Sequence, residues 1–434
     1  MKVCFVAENA YPAIADGNGA AFGGMETQAW AFARSLRQLE CCEVGLCVSS
    51  PKRFQFELHD GVQVFNRQAF FEHVRRNVAQ HCTIQHSWPP LRVRRWSNSL
   101  LWQIPLLLLT KPLRSPDRER ESVVDFYRAL PADVVIAFGV SSLTTAIIEA
   151  AKAAGKRTVI SCASNDDLRR EYQIGSTYVN AYGDSGDFLA RGLQAADQIF
   201  VQTEWQQELA RNNLKLETNV LANPIDERWP RWAESGDRLL ADLTSRQPQV
   251  SKSFILWTGR TDRFHKRPAL AFDVARRLAT EQFVMVLNNT DSEYFAELLA
   301  RCPQNVLILP TMPHPQFVAL LSRATAFLST GSHQYEGFPN VFLQAGVLGV
   351  PVVSADCDFG ILSKTGIGRS FNDSTDGMVE LLREICSSSE RRREIVKGVS
   401  ERTQHLYGGK TIATRLWELL NQAESARFSN GVAI

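Results

Sequence analysis

The chain has 434 residues, of which 44% are hydrophobic and 22% are charged, and its net charge is +2 at pH 7. This is the composition of a globular protein with two or three domains, and the small net charge argues against nucleic acid as a partner. The nine cysteines lack zinc-type spacing and predict buried, reduced thiols, and the start of the chain reads as a strand rather than a secretion signal. We therefore expect a cytoplasmic protein.

Short apolar runs alternate with helical patterns along the whole chain, which predicts parallel sheets with helices on both faces. The expected fold class is α/β, with two Rossmann-like doubly wound domains that face each other across a cleft. The first domain is predicted over residues 1–225, a polar linker over 226–253 and the second domain over 254–410. An amphipathic helix over 411–423 is expected to pack back on the first domain.

A glycine-rich segment, Asp16 to Gly24, lies between the first strand and a helical pattern. Gly23 and Gly24 would let the backbone approach a ligand closely, and an ordinary turn is the alternative. The dinucleotide spacing G-x-G-x-x-G is not met, because Phe22 stands where the third glycine belongs. An NAD enzyme is therefore disfavoured.

Residues 67–120 carry ten basic and three acidic side chains, together with Trp88, Trp96, Trp102 and the apolar run Leu100 to Leu109. The apolar run is too short to span a bilayer. Two interpretations stay open. The segment lies on an anionic membrane surface with its basic flank toward the headgroups, or it is an insertion packed on its domain with a solvated basic face.

A strand predicted over 254–258 is followed by Arg260 and, six residues later, by Lys266. At the carboxyl end of a strand these cations can clamp a diphosphate, the guanidinium through its planar fork and the ammonium as a point charge. The alternative is a pair of solvated surface charges. Their expected position opposite the Glu336 loop favours the phosphate clamp.

One loop and the helix after it are the most informative part of the chain. Pro339 is predicted at the first position of the helix, so the N–H groups of Asn340 and Val341 would point outward at the positive end of the helix dipole. This predicts a phosphate pocket. Glu336 lies in the loop and can accept hydrogen bonds from hydroxyls, while Gln344 is one turn inside the helix. A phosphate site beside a hydroxyl-binding carboxylate suits a nucleotide sugar.

No metal or cofactor is predicted. The tripeptide Asp356-Cys357-Asp358 has the form of an acidic metal-binding motif, but no second acidic cluster surrounds it. The eight histidines form no ligand pair at helical spacing. The tripeptide is therefore expected to be a loop.

Taken together, these motifs resemble the retaining glycosyltransferase family 4, which has the two-domain GT-B fold. The resemblance covers nearly the whole chain and rests on the Gly23-Gly24 loop, Ala196 to Trp205, Asn223 to Asp226, Arg260, Lys266 and the Glu336 loop. It implies metal-independent transfer of a hexose or deoxyhexose from a nucleotide-diphosphate sugar to a glycan, lipid-linked or protein acceptor. The implied process is surface polysaccharide or glycoconjugate biosynthesis, with the donor mainly on the second domain and the acceptor on the first.

The resemblance also implies a role for each residue of the site. Arg260, Lys266 and Glu336 would be catalytic, with the two cations neutralising the leaving diphosphate as the glycosidic bond breaks. The donor would be bound by Gly23, Gly24, Gly337, Phe338, Asn340, Val341 and Gln344, with Gln344 at the ribose. Glu26, Phe138 and Asp166 would line the acceptor or sugar pocket.

The sequence departs from the family pattern at two places. Gln344 stands where the family has a second glutamate, so the ribose contact would lack a charge. Ile136 and Phe138 stand where the family usually has histidines, and we hypothesise that Phe138 faces a sugar without a 6-hydroxyl. The alternatives are a sugar-nucleotide-binding protein that has lost catalysis, and a sugar-nucleotide epimerase or hydrolase of similar architecture.

Overall fold

The computed structural model of the chain describes residues 1–14, 24–50, 52, 54–68, 71–84, 91–93, 95–114, 116–251 and 253–430. Gly23, predicted to contact the donor, lies outside the described residues, as does most of the glycine-rich segment. Trp88 and Arg94 of the basic segment also lie outside them.

The N-terminal domain is built on an eight-stranded sheet. Up to residue 220 the described strands are β1 (Lys2–Val6), β2 (Glu43–Val48), β3 (Phe56–His59), β4 (Val62–Asn66), β5 (Cys82–Ile84), β6 (Leu91–Val93), β7 (Val134–Phe138), β8 (Arg157–Ser161), β9 (Gln198–Val201) and β10 (Asn219–Val220). The helices are α1 (Tyr11–Ile14), α2 (Gly24–Arg37), α3 (Glu72–His81), α4 (Leu100–Leu109), α5 (Pro116–Ala129), α6 (Ser142–Ala153), α7 (Gly186–Ala195) and α8 (Glu204–Leu209). The sheet order is β10-β9-β8-β7-β1-β2-β4-β3, with only the β3 edge antiparallel, while β5 and β6 form a separate hairpin.

The C-terminal domain has a six-stranded parallel sheet in the order β13-β12-β11-β14-β15-β16. Its strands are β11 (Ile255–Arg260), β12 (Phe283–Asn288), β13 (Val306–Pro310), β14 (Ala326–Ser329), β15 (Val352–Ser354) and β16 (Gly368–Ser370). The helices after residue 225 are α9 (Arg228–Glu234), α10 (Gly236–Arg246), α11 (Pro268–Arg277), α12 (Ser292–Ala300), α13 (His314–Ser322), α14 (Asn340–Leu348), α15 (Ile361–Thr365), α16 (Thr375–Ser387), α17 (Ser389–Val396), α18 (Val399–Tyr407) and α19 (Gly409–Asn430).

The central strands of both sheets are apolar and buried on both faces, because helices cover each side. Apolar residues of each sheet point alternately into two helix-covered cores. The predicted α/β class with two doubly wound domains is therefore confirmed.

Residues 226–253, expected as a polar linker, instead hold α9 and α10. Trp229 and Leu240 from these helices are buried in the core of the C-terminal domain. Trp229 and Trp232 in α9 and Leu239, Leu240 and Leu243 in α10 stand at helical spacing, but Pro230, Ser235 and Gly236 interrupt the pattern. Its helices belong to the second core by packing.

The chain ends by returning to the first domain. In α19, Leu416, Leu419 and Leu420 are buried with Trp30 of α2 in the N-terminal core. Arg157 Nη1 donates to the carbonyl of Leu420 at 2.7 Å. None of the helices in the described part of the chain is both long and apolar enough to cross a bilayer.

Candidate active site

Two loops of the C-terminal domain, one after β11 and one after β14, are hydrogen-bonded to each other. Ser332 donates its N–H to the carbonyl of His265 at 2.9 Å, and the Thr330 hydroxyl donates to the carbonyl of Lys266 at 2.6 Å. Arg267 donates to the carbonyl of Thr330 at 2.7 Å. These strands are neighbours in the sheet, so both loops lie at its carboxyl edge, where α/β proteins bind ligands.

This loop pair brings Arg260, Lys266 and Glu336 together through a histidine. Lys266 Nζ donates to Glu336 Oε2, and His265 Nε2 lies 3.0 Å from the same oxygen. His265 Nδ1 lies 3.0 Å from Arg260 Nη2. Because a guanidinium only donates, Nδ1 is the acceptor and Nε2 carries the proton that is donated to Glu336. His265 therefore links the guanidinium to the carboxylate.

Glu336 is ionised although it is buried. Burial alone would raise the pKa of its carboxyl, but the Lys266 ammonium and the His265 ring outweigh that effect and hold the pKa well below its usual range. The side chain is 12% exposed. Glu336 is thus a carboxylate at neutral pH, the state that accepts hydrogen bonds from hydroxyls.

The N-termini of two helices, one from each domain, lie next to each other. α14 begins at Asn340 with Pro339 as its cap, so Pro339 stands one position earlier than predicted. The N–H groups of Asn340 and Val341 lie in the first turn, where the helix offers no acceptor. α2 begins at Gly24, where a Cβ would lie 3.4 Å from the Asn340 side chain, and Asn223 donates to Asn340 Oδ1 at 2.7 Å. Two positive helix ends therefore converge.

The N-terminal domain touches the Glu336 loop through the turn after β8. A Cβ on Gly337 would lie 2.6 Å from the carbonyl oxygen of Ala163 and 2.9 Å from Ser164 Cα, so only glycine fits. Asn165 Nδ2 donates to the carbonyl of His333 at 2.7 Å. The structure explains Gly337 by this close approach of the domains, and its contact with a donor stays a prediction.

That turn is organised by Asp167, which accepts backbone N–H groups from Ala163 at 2.6 Å, Ser164 at 3.1 Å and Val140 at 3.1 Å. These bonds favour the charged form, but burial outweighs them and raises the pKa of Asp167 to about 6. The carboxylate fixes the backbone that Gly337 contacts.

Glu26 and Asp166, predicted to line the acceptor pocket, both lie in the N-terminal domain, on α2 and in the turn after β8. Glu26 is half-buried in the first turn of α2, two residues after Gly24. Asp166 lies in a short 3₁₀ helix after β8, is 52% exposed and pairs with Arg169 at 2.8 Å. Their contacts with an acceptor stay predictions.

Two aromatic side chains predicted at the site belong to the cores instead. The Phe138 ring lies 6.2 Å from Phe5 and 6.1 Å from Phe32, centroid to centroid, and is 6% exposed. The hypothesis that Phe138 faces a deoxygenated sugar is therefore wrong, because the ring points into the helix layer. The Phe338 ring packs edge-on against Tyr407 in the C-terminal core, so only its backbone can reach a donor.

Gln344 is held by a neutral histidine. Its Nε2 lies 2.7 Å from Nε2 of His314, the first residue of α13. Burial lowers the pKa of His314 to about 4, so the ring is neutral at neutral pH. Because the amide nitrogen of Gln344 only donates, His314 Nε2 is the acceptor. The His314 ring also packs edge-on against Trp232. This arrangement leaves the carbonyl oxygen of Gln344 as the group that can meet a ribose hydroxyl.

Sequence reasoning missed His265, His314 and Asp167. Asp167 had a usable signal, because Ser164 and Asp167 form a capping box with the S-x-x-D spacing. His265 stands beside Lys266, but a single histidine in a loop has no pattern of its own. His314 meets Gln344 only through the packing of α13 on α14.

Two further features are the Asp356 tripeptide, which lies against the Glu336 loop, and a cavity elsewhere in the C-terminal domain. Asp356 accepts the N–H of His333 at 2.9 Å, and the described residues contain no cluster of three or more His, Cys, Asp or Glu side chains placed to hold a metal. A cavity of about 1100 Å³ is lined by Ser253 and Thr325, which precede β11 and β14. It therefore lies at the amino edge of the sheet, opposite the two loops.

The fold matches solved structures over almost their whole length. Sucrose-phosphate synthase from Thermosynechococcus elongatus is 14% identical, with 98% of this chain and 100% of that chain covered and a TM-score of 0.64. HepE from Anabaena in complex with UDP and glucose is 16% identical, with 97% and 99% covered and a TM-score of 0.61. UDP-GlcNAc 2-epimerase from Neisseria meningitidis, bound to UDP-GlcNAc, is 13% identical, with 97% and 100% covered and a TM-score of 0.53. At these identities the likeness shows the GT-B fold alone.

Residues 252–387 match the family model described as Glycosyl transferases group 1. The chain is a glycosyltransferase with the GT-B fold. The matched segment of this glycosyltransferase contains the loops after β11 and β14 and helix α14, and therefore Arg260, Lys266 and Glu336. No curated protein matches the chain.

Proposed function

We propose that this glycosyltransferase belongs to the retaining family 4 and moves a hexose or deoxyhexose from a nucleotide-diphosphate sugar to a glycan, lipid-linked or protein acceptor. The proposed setting is surface polysaccharide or glycoconjugate biosynthesis. The observation that supports this best is the meeting of Arg260 and Lys266 with the loop that leads into α14, at the carboxyl edge of the second sheet. HepE, which shares the fold, is solved with UDP and glucose, and this supports a nucleotide-sugar donor.

The chemistry follows from where charge develops. Breaking the bond between the anomeric carbon and the diphosphate oxygen leaves positive charge on the sugar and adds negative charge to the diphosphate. Arg260, Lys266 and the N–H groups of Asn340 and Val341 are donors fixed in advance for that negative charge. In this proposal they supply the charge that a divalent cation supplies in other transferases, so no metal is required. Glu336 would hold the hydroxyls of the transferred sugar.

The proposed location is the cytoplasm, at the inner face of the membrane. All nine cysteines are free thiols, including the neighbours Cys41 and Cys42 near the surface. Unpaired thiols of this kind fit a reducing compartment.

The donor clamp is tested by the thermal shift that UDP, GDP, ADP and dTDP produce in the full chain. One diphosphate should raise the melting temperature by a few degrees, because a ligand that binds only the folded state stabilises it. Arg260→Ala and Lys266→Ala should each abolish that shift. Arg263→Ala is the matched control, because Arg263 lies in the same loop but pairs with Glu297 and covers the Tyr294 ring. An unchanged shift in both site variants would contradict the clamp.

Labelled donors separate transfer from the alternatives. Transfer to an acceptor, or slow donor hydrolysis that depends on Glu336, supports the proposal. Binding without any turnover would identify a sugar-nucleotide-binding protein that has lost catalysis. Rapid release of an epimerised or hydrolysed sugar without acceptor would identify an epimerase or hydrolase, an activity that the GT-B fold also hosts.

A further inference from the structure

Helix α4 is apolar on both its faces, and one of them is open to solvent. Its inner side chains, Leu100, Ile104 and Leu107, pack in a small cluster with Val78 of α3 and with Cys82. Its outer stripe consists of Leu101, Trp102, Leu108 and Leu109, which are between 54% and 80% exposed.

The exposed residues of the outer stripe lie on one face of the helix and together form one apolar surface. Positions 101, 108 and 109 recur at the spacing of one helix face, with Trp102 beside them. Trp96, four residues before the helix, and Leu113, four residues after it, are also more than half exposed. A helix that only packed on its own domain would carry polar residues on this face, so the stripe indicates a further apolar partner.

Positive charge flanks the stripe. Arg92 and Arg95 precede α4 and Lys111 follows it, and all three side chains are exposed. Residues 67–120 hold ten basic and three acidic side chains, although the whole chain carries only +2. An apolar stripe with a cationic flank complements a layer of anionic headgroups over acyl chains.

The insertion that carries α4 leaves the N-terminal sheet at the edge where the domains meet. Arg67, the first residue after β4, donates to Glu8, which follows β1, at 2.5 Å. Both residues stand at the carboxyl ends of their strands. The insertion therefore starts on the cleft side of the domain.

We propose that the outer stripe of α4 docks on the surface of an anionic lipid bilayer. Leu101, Trp102, Leu108 and Leu109 enter the boundary between headgroups and acyl chains, while the flanking arginines and Lys111 contact the headgroups. The helix lies in the interface and does not span it. Docking adds a partner to the proposed function, since a lipid-linked acceptor would then be held on the same surface as the enzyme.

The test is co-sedimentation of the full chain, without nucleotide, with vesicles of phosphatidylcholine alone or mixed with phosphatidylglycerol. The wild type should bind the mixed vesicles, and added salt should weaken binding. Replacing Leu101, Trp102, Leu108 and Leu109 together by serine should lower the partition coefficient at least tenfold, roughly, because bound apolar area sets the affinity. Leu299→Ser, on exposed Leu299 of α12, is the matched control and should change nothing. All replaced side chains are exposed, so melting temperatures should stay unchanged.

A second variant isolates the charge. Arg92→Glu, Arg95→Glu and Lys111→Glu in combination should abolish the preference for mixed vesicles. Equal sedimentation of the wild type and the serine variant overturns the proposal. So does a wild type that binds no vesicles but forms dimers that the serine variant lacks, because the stripe would then bind a second copy. Vesicle binding is measured without donor, so its failure leaves the diphosphate clamp standing, and loss of the clamp leaves docking intact.

Discussion

Glu336 and Asp167 are buried carboxylates in the facing loops of the two domains, and their pKa values are shifted in opposite directions. Against Glu336 lie an ammonium and an imidazole, which hold its pKa well below the usual range despite burial. Asp167 accepts hydrogen bonds from backbone N–H groups, and burial outweighs them and raises its pKa to about 6. The C-terminal loop is thus organised by paired charges and the N-terminal turn by backbone hydrogen bonds and close fit. The difference indicates that one side of the cleft handles charge and the other sets geometry.

Lys266→Ala tests the role of paired charge in the Glu336 loop and has the largest expected effect. The variant removes a charge that stabilises the leaving diphosphate, so kcat should fall by about 10³-fold. It also leaves Glu336 buried without its main cation, and the free energy of unfolding should fall by about 3 kcal/mol. Initial rates with labelled donor and urea unfolding measure the two effects.

Lys364→Ala provides the control for that substitution. Lys364 pairs with Glu204 at 3.2 Å, but both side chains are more than half exposed. Such surface pairs contribute little, so rate and stability should both stay near wild type. A rate loss below about threefold in Lys266→Ala would mean that the ammonium does not face the diphosphate.

The opposite pKa shifts predict opposite pH dependences of stability. Asp167 has a higher pKa in the folded chain than its ordinary 3.8, so its contribution is full below that value and is lost as the pH rises toward about 6. The loss corresponds to about 3 kcal/mol. Glu336 has a lowered pKa, so its contribution is present above its ordinary 4.5 and is lost only as the pH falls below that.

Urea unfolding of the wild type, Asp167→Asn and Glu336→Gln from about pH 4 to 7 measures this difference. The stability of the wild type relative to Asp167→Asn should decline up to about pH 6 and then level off. Its stability relative to Glu336→Gln should be flat above about pH 5. If these two stability differences changed with pH in the same way, the two carboxylates would not be shifted in opposite directions, and the distinction between the loops would be wrong.

The charged loop of the C-terminal domain was predictable from the sequence, whereas the close fit of the N-terminal turn against it was not. Arg260, Lys266, Glu336 and the start of α14 lie in short segments at the ends of strands, where local spacing alone indicates a site. The two doubly wound sheets were predictable in the same way, because buried parallel strands are continuous apolar runs.

The features that the sequence did not predict depend on tertiary packing. Phe138 was misassigned because an apolar residue at the end of a strand can face either the cleft or the core, and only its contacts with Phe5 and Phe32 settle which. The helices α9 and α10 were missed because Pro230, Ser235 and Gly236 interrupt the helical spacing of their apolar residues, which pack only in the folded core. The contact of Gly337 with Ala163 joins residues far apart in the chain, and no local pattern records it.

Gly337→Ala tests the geometric side. The new methyl would meet the Ala163 carbonyl oxygen at 2.6 Å and push the N-terminal turn away from the Glu336 loop. A displacement of this size should lower kcat by about 10²-fold. Diphosphate binding should be retained, because Arg260 and Lys266 stay in place within one domain.

The matched control is Gly236→Ala, since a methyl there has its nearest neighbour at 3.7 Å, an ordinary contact. Its rate and thermal shift should equal those of the wild type. If Gly337→Ala loses the diphosphate shift along with the rate, the domain contact and the clamp are one unit, and the separation of charge from geometry fails.

The smallest effect concerns Gln344, a neutral group on the charged side. His314 accepts from its amide, so His314→Phe keeps a ring against Trp232 but removes the partner that orients Gln344. We expect affinity for the preferred nucleoside diphosphate to fall about tenfold, while its 2′-deoxy form binds as before, because only the ribose contact is disturbed. Gln344→Leu should give the same loss, and the double variant no further loss, as for two residues that act through one contact.

Since the pKa of His314 is about 4, the wild-type affinity should not change between about pH 6 and 8. Equal losses for the ribose and deoxyribose forms would show that His314 supports the packing of α13 and not the orientation of the amide.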